Sequence, residues 1–211
     1  MSIAERRQRE REVLRRKIID AARALCAEGG YEALTVRAIA SRIEYSTSVI
    51  YSQFEDKAAM LRVIADEDFA ELTRQLMDHD VADASPAERI LGMAERFAHF
   101  AQHQPEHYRR IFISPPPPVS VEESAAEHGN PNEDAYAYAR VLFVALIEGT
   151  PSITERDADA LLQMFWGTLH GLIALHMTLG DEPWVTLKPL SPLVDSASRA
   201  LLRGVGVALP A

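Results

Sequence analysis

From Leu14 to Leu202 the apolar residues of this chain return every third or fourth position, and no stretch of any length alternates apolar with polar. That regularity argues against a half-buried sheet and predicts an all-α fold of about nine helices. Leu14, Ile18, Ala22 and Leu25 stand at i, i+4, i+8 and i+11, with Ile19 and Cys26 alongside, as the stripe of an amphipathic first helix. Gly29-Gly30 is expected to stop it. Thr35 is placed to N-cap a short second helix carrying Val36, Ile39, Ala40 and Ile43 on one face. Ser46 is a cap candidate for a third, very short helix reaching Phe54. Asp56 can start a fourth, with Leu61, Ile64, Phe69, Leu72 and Leu76 as its stripe.

Ser85-Pro86-Ala87-Glu88 joins an N-cap serine, a proline at the first helical position and a glutamate three residues after the cap. The helix it opens should run to about Gln104, and Pro105 opens a shorter one holding Tyr108, Ile111 and Phe112. Ser114 and the four prolines to Pro118 cannot be helical and predict an extended polyproline II connector, part of one loop to Asn132. Helices resume over about 133–148 and 154–179, closed by Gly149 and Gly180, and a last one follows Ser191-Pro192.

With 47% hydrophobic residues the chain can bury a core. Residues 1–17 are dense in Arg and Glu and do not resemble a signal peptide. The single cysteine, Cys26, excludes an internal disulfide, suits a reducing cytosol and reads as a small core residue. The apolar run Leu161–Leu179 is interrupted by Gln163, Thr168, His170 and His176 and lacks a basic flank, so a buried helix is expected rather than a membrane span. The net charge of −9 hides an asymmetry: residues 1–17 hold seven basic side chains against three acidic ones. Such an arm can attract a polyanion to one end of an acidic body, or it can be a solvated, salt-bridged helix; charge alone leaves both open.

Two short helices joined by a tight turn, after a long first helix, describe a helix-turn-helix DNA reader. Ala40 is small where the two helices must cross, and Ile39, Ile43, Val49 and Ile50 can lock the pair together. That leaves Thr47, Ser48, Ser52 and Gln53 outward on the third helix, short enough to approach base edges in a major groove. Tyr51 offers a hydroxyl on a rigid ring for a phosphate, Lys57 a cation, and Thr35 with Arg37 a further phosphate contact at the start of the second helix. Tyr45 and Ser46, in the turn, complete the candidate DNA-binding set. The third helix has no Arg or Lys, so generic attraction would come from Arg6–Lys17, Arg37 and Lys57. Contacts to adenine and to thymine methyls would then matter more than grips on guanine.

In these residues the chain resembles the tetracycline-repressor (TetR) family of bacterial transcription regulators. The likeness rests on T-V-R-A-I-A (Thr35–Ala40), Ser46, I-Y-S-Q-F (Ile50–Phe54) and D-K-A-A-M-L (Asp56–Leu61), after an amphipathic first helix and Gly30-Tyr31. The turn departs from the family pattern, with Glu44 where glycine is usual, Tyr45 in place of a small aliphatic residue, and Gln53 where histidine is usual. Farther on, W-G-T-L-H-G-L (Trp166–Leu172) resembles the WHG-type C-terminal domain of one branch of the family. The resemblance implies a DNA-binding domain over residues 1–57 and a helical effector-binding and dimerisation domain over 58–211. It further implies a cytoplasmic homodimer paired through the last two long helices, a double-stranded operator as partner, and release by a small apolar or amphipathic effector.

No cofactor motif and no membrane partner is expected. Candidate effector-pocket residues are Phe97, Phe100, His103, Tyr108, Phe112, Tyr136, Phe143, Met164, Phe165 and His170, aromatic or polarisable side chains on the middle and late helices. His99 and His103 stand at i, i+4 with His107 beyond, but no carboxylate or cysteine obviously completes a metal site, so none is predicted. No nucleophile elbow, phosphate loop or HExxH occurs, which argues against an enzyme, although a helical enzyme using the histidines is one competing reading. Another is a protein-interaction adaptor using the acidic surface and the proline run.

Overall fold

A computed structural model describes residues 2–113, 127–153, 157–180 and 182–209, with only the backbone of 30–32. Among these residues there are nine α-helices and no strand. The chain divides into two compact units, the first running to Asp68 and rejoined by the segment beginning at Arg109, the second taking Phe69–Tyr108 and the chain from 127 onward.

The first unit contains α1 (Ile3–Ala33), α2 (Val36–Ile43), α3 (Thr47–Tyr51) and the start of α4 (Lys57–Met77). Ile18, Ile19 and Ala22 of α1 join Leu34, Ile39, Ile43, Ile50 and Phe54 in one apolar cluster that Met60, Leu61 and Ile64 of α4 complete. The unit therefore reaches past Lys57, because α2 and α3 are too short to bury their apolar faces against α1 alone. Burial pushes the Cys26 thiol up, away from thiolate, which fits a small core residue.

Gly29-Gly30 does not stop α1. The helix continues through both glycines and ends where Leu34, fully buried, turns extended. Glycine costs a helix about 1 kcal/mol relative to alanine but does not forbid it, and tertiary burial at Leu34 places the end instead.

Leu61, Ile64, Leu72 and Leu76 of the stripe expected for α4 are buried, and only Phe69 departs from it. Phe69 is 46% exposed, whereas Asp68 is 1% exposed. Asp68 is buried because it is paired: Arg110 donates to it from Nε at 2.6 Å and Nη2 at 3.2 Å, and Arg23 donates from Nη2 at 3.1 Å. Arg110 belongs to a single π-helical turn (Arg109–Ile113) whose side chain is itself buried.

The second unit holds the end of α4, α5 (Pro86–His103), α6 (Pro105–Tyr108), α7 (Ala135–Gly149), α8 (Ala158–Leu179) and α9 (Leu190–Gly204). α5 packs on α7 and α9, and α8 also lies against α7 and α9. Ile90, Phe97, Phe100, Leu142, Phe143, Leu146, Phe165, Leu169, Ile173, Val194 and Leu202 are buried there. The Ser85 capping box forms as expected, with Glu88 N–H donating to Ser85 Oγ and Ser85 N–H to the Glu88 carboxylate. Arg89 grips Asp80 at 2.6 Å and holds its carboxyl below the usual range.

Some helix starts differ from expectation. α7 is capped by Asp134, and α8 by Asp157, each aspartate accepting from the N–H groups two and three residues on. Thr154, the expected start of α8, and the Ser114–Pro118 run lie outside the described residues. α9 begins at Leu190, before Ser191-Pro192, with Pro192 in the first turn, where a missing N–H costs nothing. No helix among the described residues is long and apolar enough to cross a membrane.

Candidate nucleic-acid interface

The candidate interface is built from α1, α2 and α3. Thr35 accepts from the Ala38 N–H at 3.1 Å, which fixes the first turn of α2 and leaves Arg37 exposed on it. Ile39, Ala40 and Ile43 bury one face of α2, and Ile50 with Phe54 anchors α3 to the same core. α3 is shorter than expected. It ends at Tyr51, with Phe54 following in a hydrogen-bonded turn, and Ser46 stands at its N-cap without a side-chain cap bond. Instead the Ser46 and Ser48 hydroxyls bond each other at 2.7 Å.

Glu44 resolves the turn. It adopts φ 61°, ψ 41°, the left-handed region that favours glycine. The Tyr45 N–H reaches Ala40 O at 3.0 Å and the Glu44 N–H faces Ser41 O at 3.4 Å, a Schellman closure with a glutamate at its left-handed position. A non-glycine residue there costs about 1–2 kcal/mol. Glu44→Gly should recover part of this, less the added freedom of the unfolded chain, for a gain of roughly 0.5–1 kcal/mol. A rise in Tm of about 1–4 °C is the expected reading; a fall or no change would refute strain at this residue.

Two basic residues expected to attract DNA are used inside the unit. Lys17 Nζ donates to Ile43 O at 3.2 Å and lies 5.0 Å from the Tyr45 ring centroid. Arg15 donates to Gln53 O at 2.9 Å and stands 4.1 Å over the Phe54 ring. Each places a cation at the C-terminal carbonyls of a short helix, α2 for Lys17 and the turn closing α3 for Arg15. Arg16 pairs with Glu67 at 2.8 Å and Arg6 with Glu10 at 3.6 Å. Sequence reasoning missed the supporting role of Arg15 and Lys17 because their acceptors are main-chain oxygens, which leave no trace in residue identity.

The candidate contact residues share an exposed surface around α2 and α3. Tyr45 is 45% exposed and Tyr51 57%, while Arg37, Ser46, Thr47, Ser48 and Ser52 are also exposed and Gln53 and Lys57 are half-buried. They are not equally available. Ser52 Oγ donates to its own Val49 O at 2.7 Å, and Gln53 Nε2 donates to Ser52 Oγ at 3.1 Å. The side chains of Thr47 and Arg37 and the hydroxyls of Tyr45 and Tyr51 make no hydrogen bond among the described residues. α3 thus presents neutral donors and acceptors on a rigid base, which suits reading groove edges rather than gripping phosphates.

The effector candidates divide. Phe97, Phe100, Tyr108, Phe143 and Phe165 are buried together with half-buried His170 in the second unit. Tyr108 OH lies 2.5 Å from His170 Nδ1, Phe97 packs tilted on Tyr108 at 5.6 Å, and Phe143 meets Phe165 edge-on at 5.5 Å. Burial pushes the Tyr108 phenol up and the His170 imidazole down, so both are neutral near pH 7. The phenol then donates to Nδ1, and the imidazole keeps its proton on Nε2.

His103, Tyr136 and Met164 do not join this set. His103 is exposed and stacked on His99 at 3.8 Å, Tyr136 is a surface residue donating to Asp159, and Met164 is 54% exposed. Phe112 falls in the first unit. Among the described residues no three His, Cys, Asp or Glu side chains converge on a point.

Comparison with known proteins follows the same division. Residues 18–64 match the family described as "Bacterial regulatory proteins, tetR family", and residues 90–183 match "Tetracyclin repressor-like, C-terminal domain", a broader description than the WHG type. The chain is 28% identical over 168 residues to the HTH-type transcriptional repressor KstR of Mycobacterium tuberculosis, covering 72% of this chain and 75% of that protein. A putative TetR-family regulator from Vibrio parahaemolyticus superposes with TM-score 0.70 at 18% identity, covering 91% of this chain and 98% of that one. RolR in complex with resorcinol superposes with TM-score 0.56 at 22% identity, covering 95% and 91%. With one matched segment falling on the helix-turn-helix unit and the other on the helices of the second unit, the chain belongs to the TetR family of DNA-binding transcription regulators.

Proposed function

We propose that this protein represses transcription as a homodimer on a two-fold symmetric operator and leaves it when a small, largely apolar effector binds the C-terminal unit. The observation that carries the reading is α3 itself. Its exposed side chains are uncharged, and it is held from behind by buried Ile50 and by Arg15 on the turn that closes it, while Lys17 holds the end of α2. In this reading Thr47, Ser48, Ser52 and Gln53 approach bases, while Thr35, Arg37, Tyr45, Ser46, Tyr51 and Lys57 hold the sugar-phosphate backbone.

Pairing through α8 and α9 is supported by the outward face of α8. Met164 and Leu175 are exposed there, and a Cβ on Gly167 or Gly171, on the same side, would meet nothing within 4 Å. Such a face, apolar yet smooth, suits close approach of a second helix. Two copies would place their α3 helices about 34–36 Å apart, one turn of DNA. Repression is supported by the KstR relatives, which are named repressors. An effector is supported by the neutral Tyr108–His170 pair packed against the Phe97 ring, one polar handle beside an apolar side chain. RolR, of the same fold, has been crystallised with resorcinol. Such an effector acts by binding one dimer conformation better than the other.

Fluorescence anisotropy on duplexes from the DNA flanking the gene tests this. The wild type should prefer one inverted repeat over scrambled DNA, and Thr47→Ala/Tyr51→Ala should weaken that complex by roughly ten- to a hundredfold, as for loss of one or two good contacts. No sequence preference in the wild type, or an unaltered one in the double variant, would sink the proposal.

A further inference from the structure

We propose that the free N-terminal third of α1 is a second DNA contact, in which Arg7 and Arg11 engage backbone phosphates beside the half-site read by α3. This rests on the DNA-binding reading above and adds a separate, sequence-independent surface to it.

The helix over residues 3–13 is exposed throughout, so about 16 Å of α1 stands clear of the core. It carries its own supports. Ser2 and Glu5 form a reciprocal capping box, Arg6 pairs with Glu10, and Gln8 donates to Glu12 at 2.8 Å. The packed remainder of α1 supplies the nucleus such a segment needs.

Those supports occupy the acidic side chains and leave particular cations over. Glu5, Glu10 and Glu12 are each engaged within the arm, whereas Arg7, Arg9 and Arg11 make no ion pair or hydrogen bond among the described residues. Arg7 and Arg11 precede Leu14 and Ile18 at i, i+4, i+7 and i+11, so they continue the core-facing side of α1 beyond the edge of the unit.

The place where α1 leaves the core is marked by its two anchors. Arg15 sits on Gln53 O and the Phe54 ring, and Lys17 on Ile43 O at the helix-turn-helix turn. The arm therefore departs beside the turn and the end of α3, near exposed Tyr45. α3 has no cation of its own and the whole chain carries −9, so a local positive surface here gives a polyanion its point of attraction. A membrane surface fits less well, because the arm's exposed large apolar side chains are only Ile3 and Val13, too few for an apolar face.

The experiment compares wild type with Arg7→Gln/Arg11→Gln in the full chain, measuring Kd on operator and on scrambled duplex from 50 to 300 mM salt. Both glutamines keep helix propensity and the sites are exposed, so circular dichroism and Tm should not change. The expected result is a shallower dependence of log Kd on log salt, by about 2 per chain, with affinity falling alike on both duplexes and their ratio kept. An unchanged slope with wild-type binding intact overturns the arm contact alone. So does a changed operator-to-scrambled ratio, or lost binding to phosphatidylserine vesicles with DNA binding unaffected. A wild type that binds no duplex overturns this inference and the proposed function together.

Discussion

Asp68→Ala will destabilise the N-terminal unit by roughly 3–5 kcal/mol, the cost of leaving buried charge without its partner. Asp68 is almost fully enclosed, and both Arg110 and Arg23 place guanidinium nitrogens within 3.2 Å of its oxygens. Removing the carboxylate strands two cations, since the Arg110 side chain is 8% exposed and that of Arg23 17%. Arg23 retains Glu67 at 2.9 Å as a second carboxylate, so Arg110 bears most of the loss. A domain stable by about 5–15 kcal/mol would surrender a large part of its margin. Thermal melts should show Tm lower by about 6–20 °C, and hydrogen exchange should accelerate across α1 to α3. Asp68→Ala/Arg110→Met removes the stranded charge together with its partner and should cost clearly less than the sum of the single changes. A loss under about 1 kcal/mol for Asp68→Ala would show that the cluster is solvated and that its geometry contributes little.

Gly171→Arg should abolish operator binding while leaving the single chain folded. Within one chain nothing lies within 4 Å of the added Cβ, and arginine in place of glycine favours the helix by about 1 kcal/mol. In the proposed pairing the same side chain meets the partner's helix and buries a cation without a counter-charge. The protein should then sediment as a monomer with full helicity. One half-site alone leaves affinity near the non-specific range, a drop of about a thousandfold or more. Sedimentation together with anisotropy checks both halves of the expectation. A variant that remains dimeric with unaltered operator affinity would move the interface away from this face of α8.

Much of the candidate interface was legible because its determinants are local. Thr35, Ile39, Ala40, Ile43 and Ile50 declare a capped, one-faced helix pair within sixteen residues, and the structure has each in that role. The Ser85 box and Asp56 are equally local, with Asp56 Oδ1 accepting from the Ala59 N–H at 2.7 Å. Glu44 was legible as a problem and not as an answer. The turn demands a left-handed residue, but only closure onto Ala40 O shows that glutamate accepts the strain. The hydroxyl-rich surface was also read as more uniform than it is, since Ser52 is turned onto its own helix while Thr47 is left open.

What the sequence by itself determined is the helical character, most of the helix starts and the uncharged composition of α3. These depend on periodicity and capping, which act over three or four residues. Only the tertiary structure decided which charges face outward. Arg15 finds its acceptor 38 residues away, Lys17 finds one 26 away, and Asp68 draws its partners from 45 residues before and 42 after. A guanidinium looks the same in sequence whether it meets a phosphate, a carboxylate or a helix end. Packing decides among them, because burial leaves a charge only where a partner from a distant part of the chain arrives to meet it.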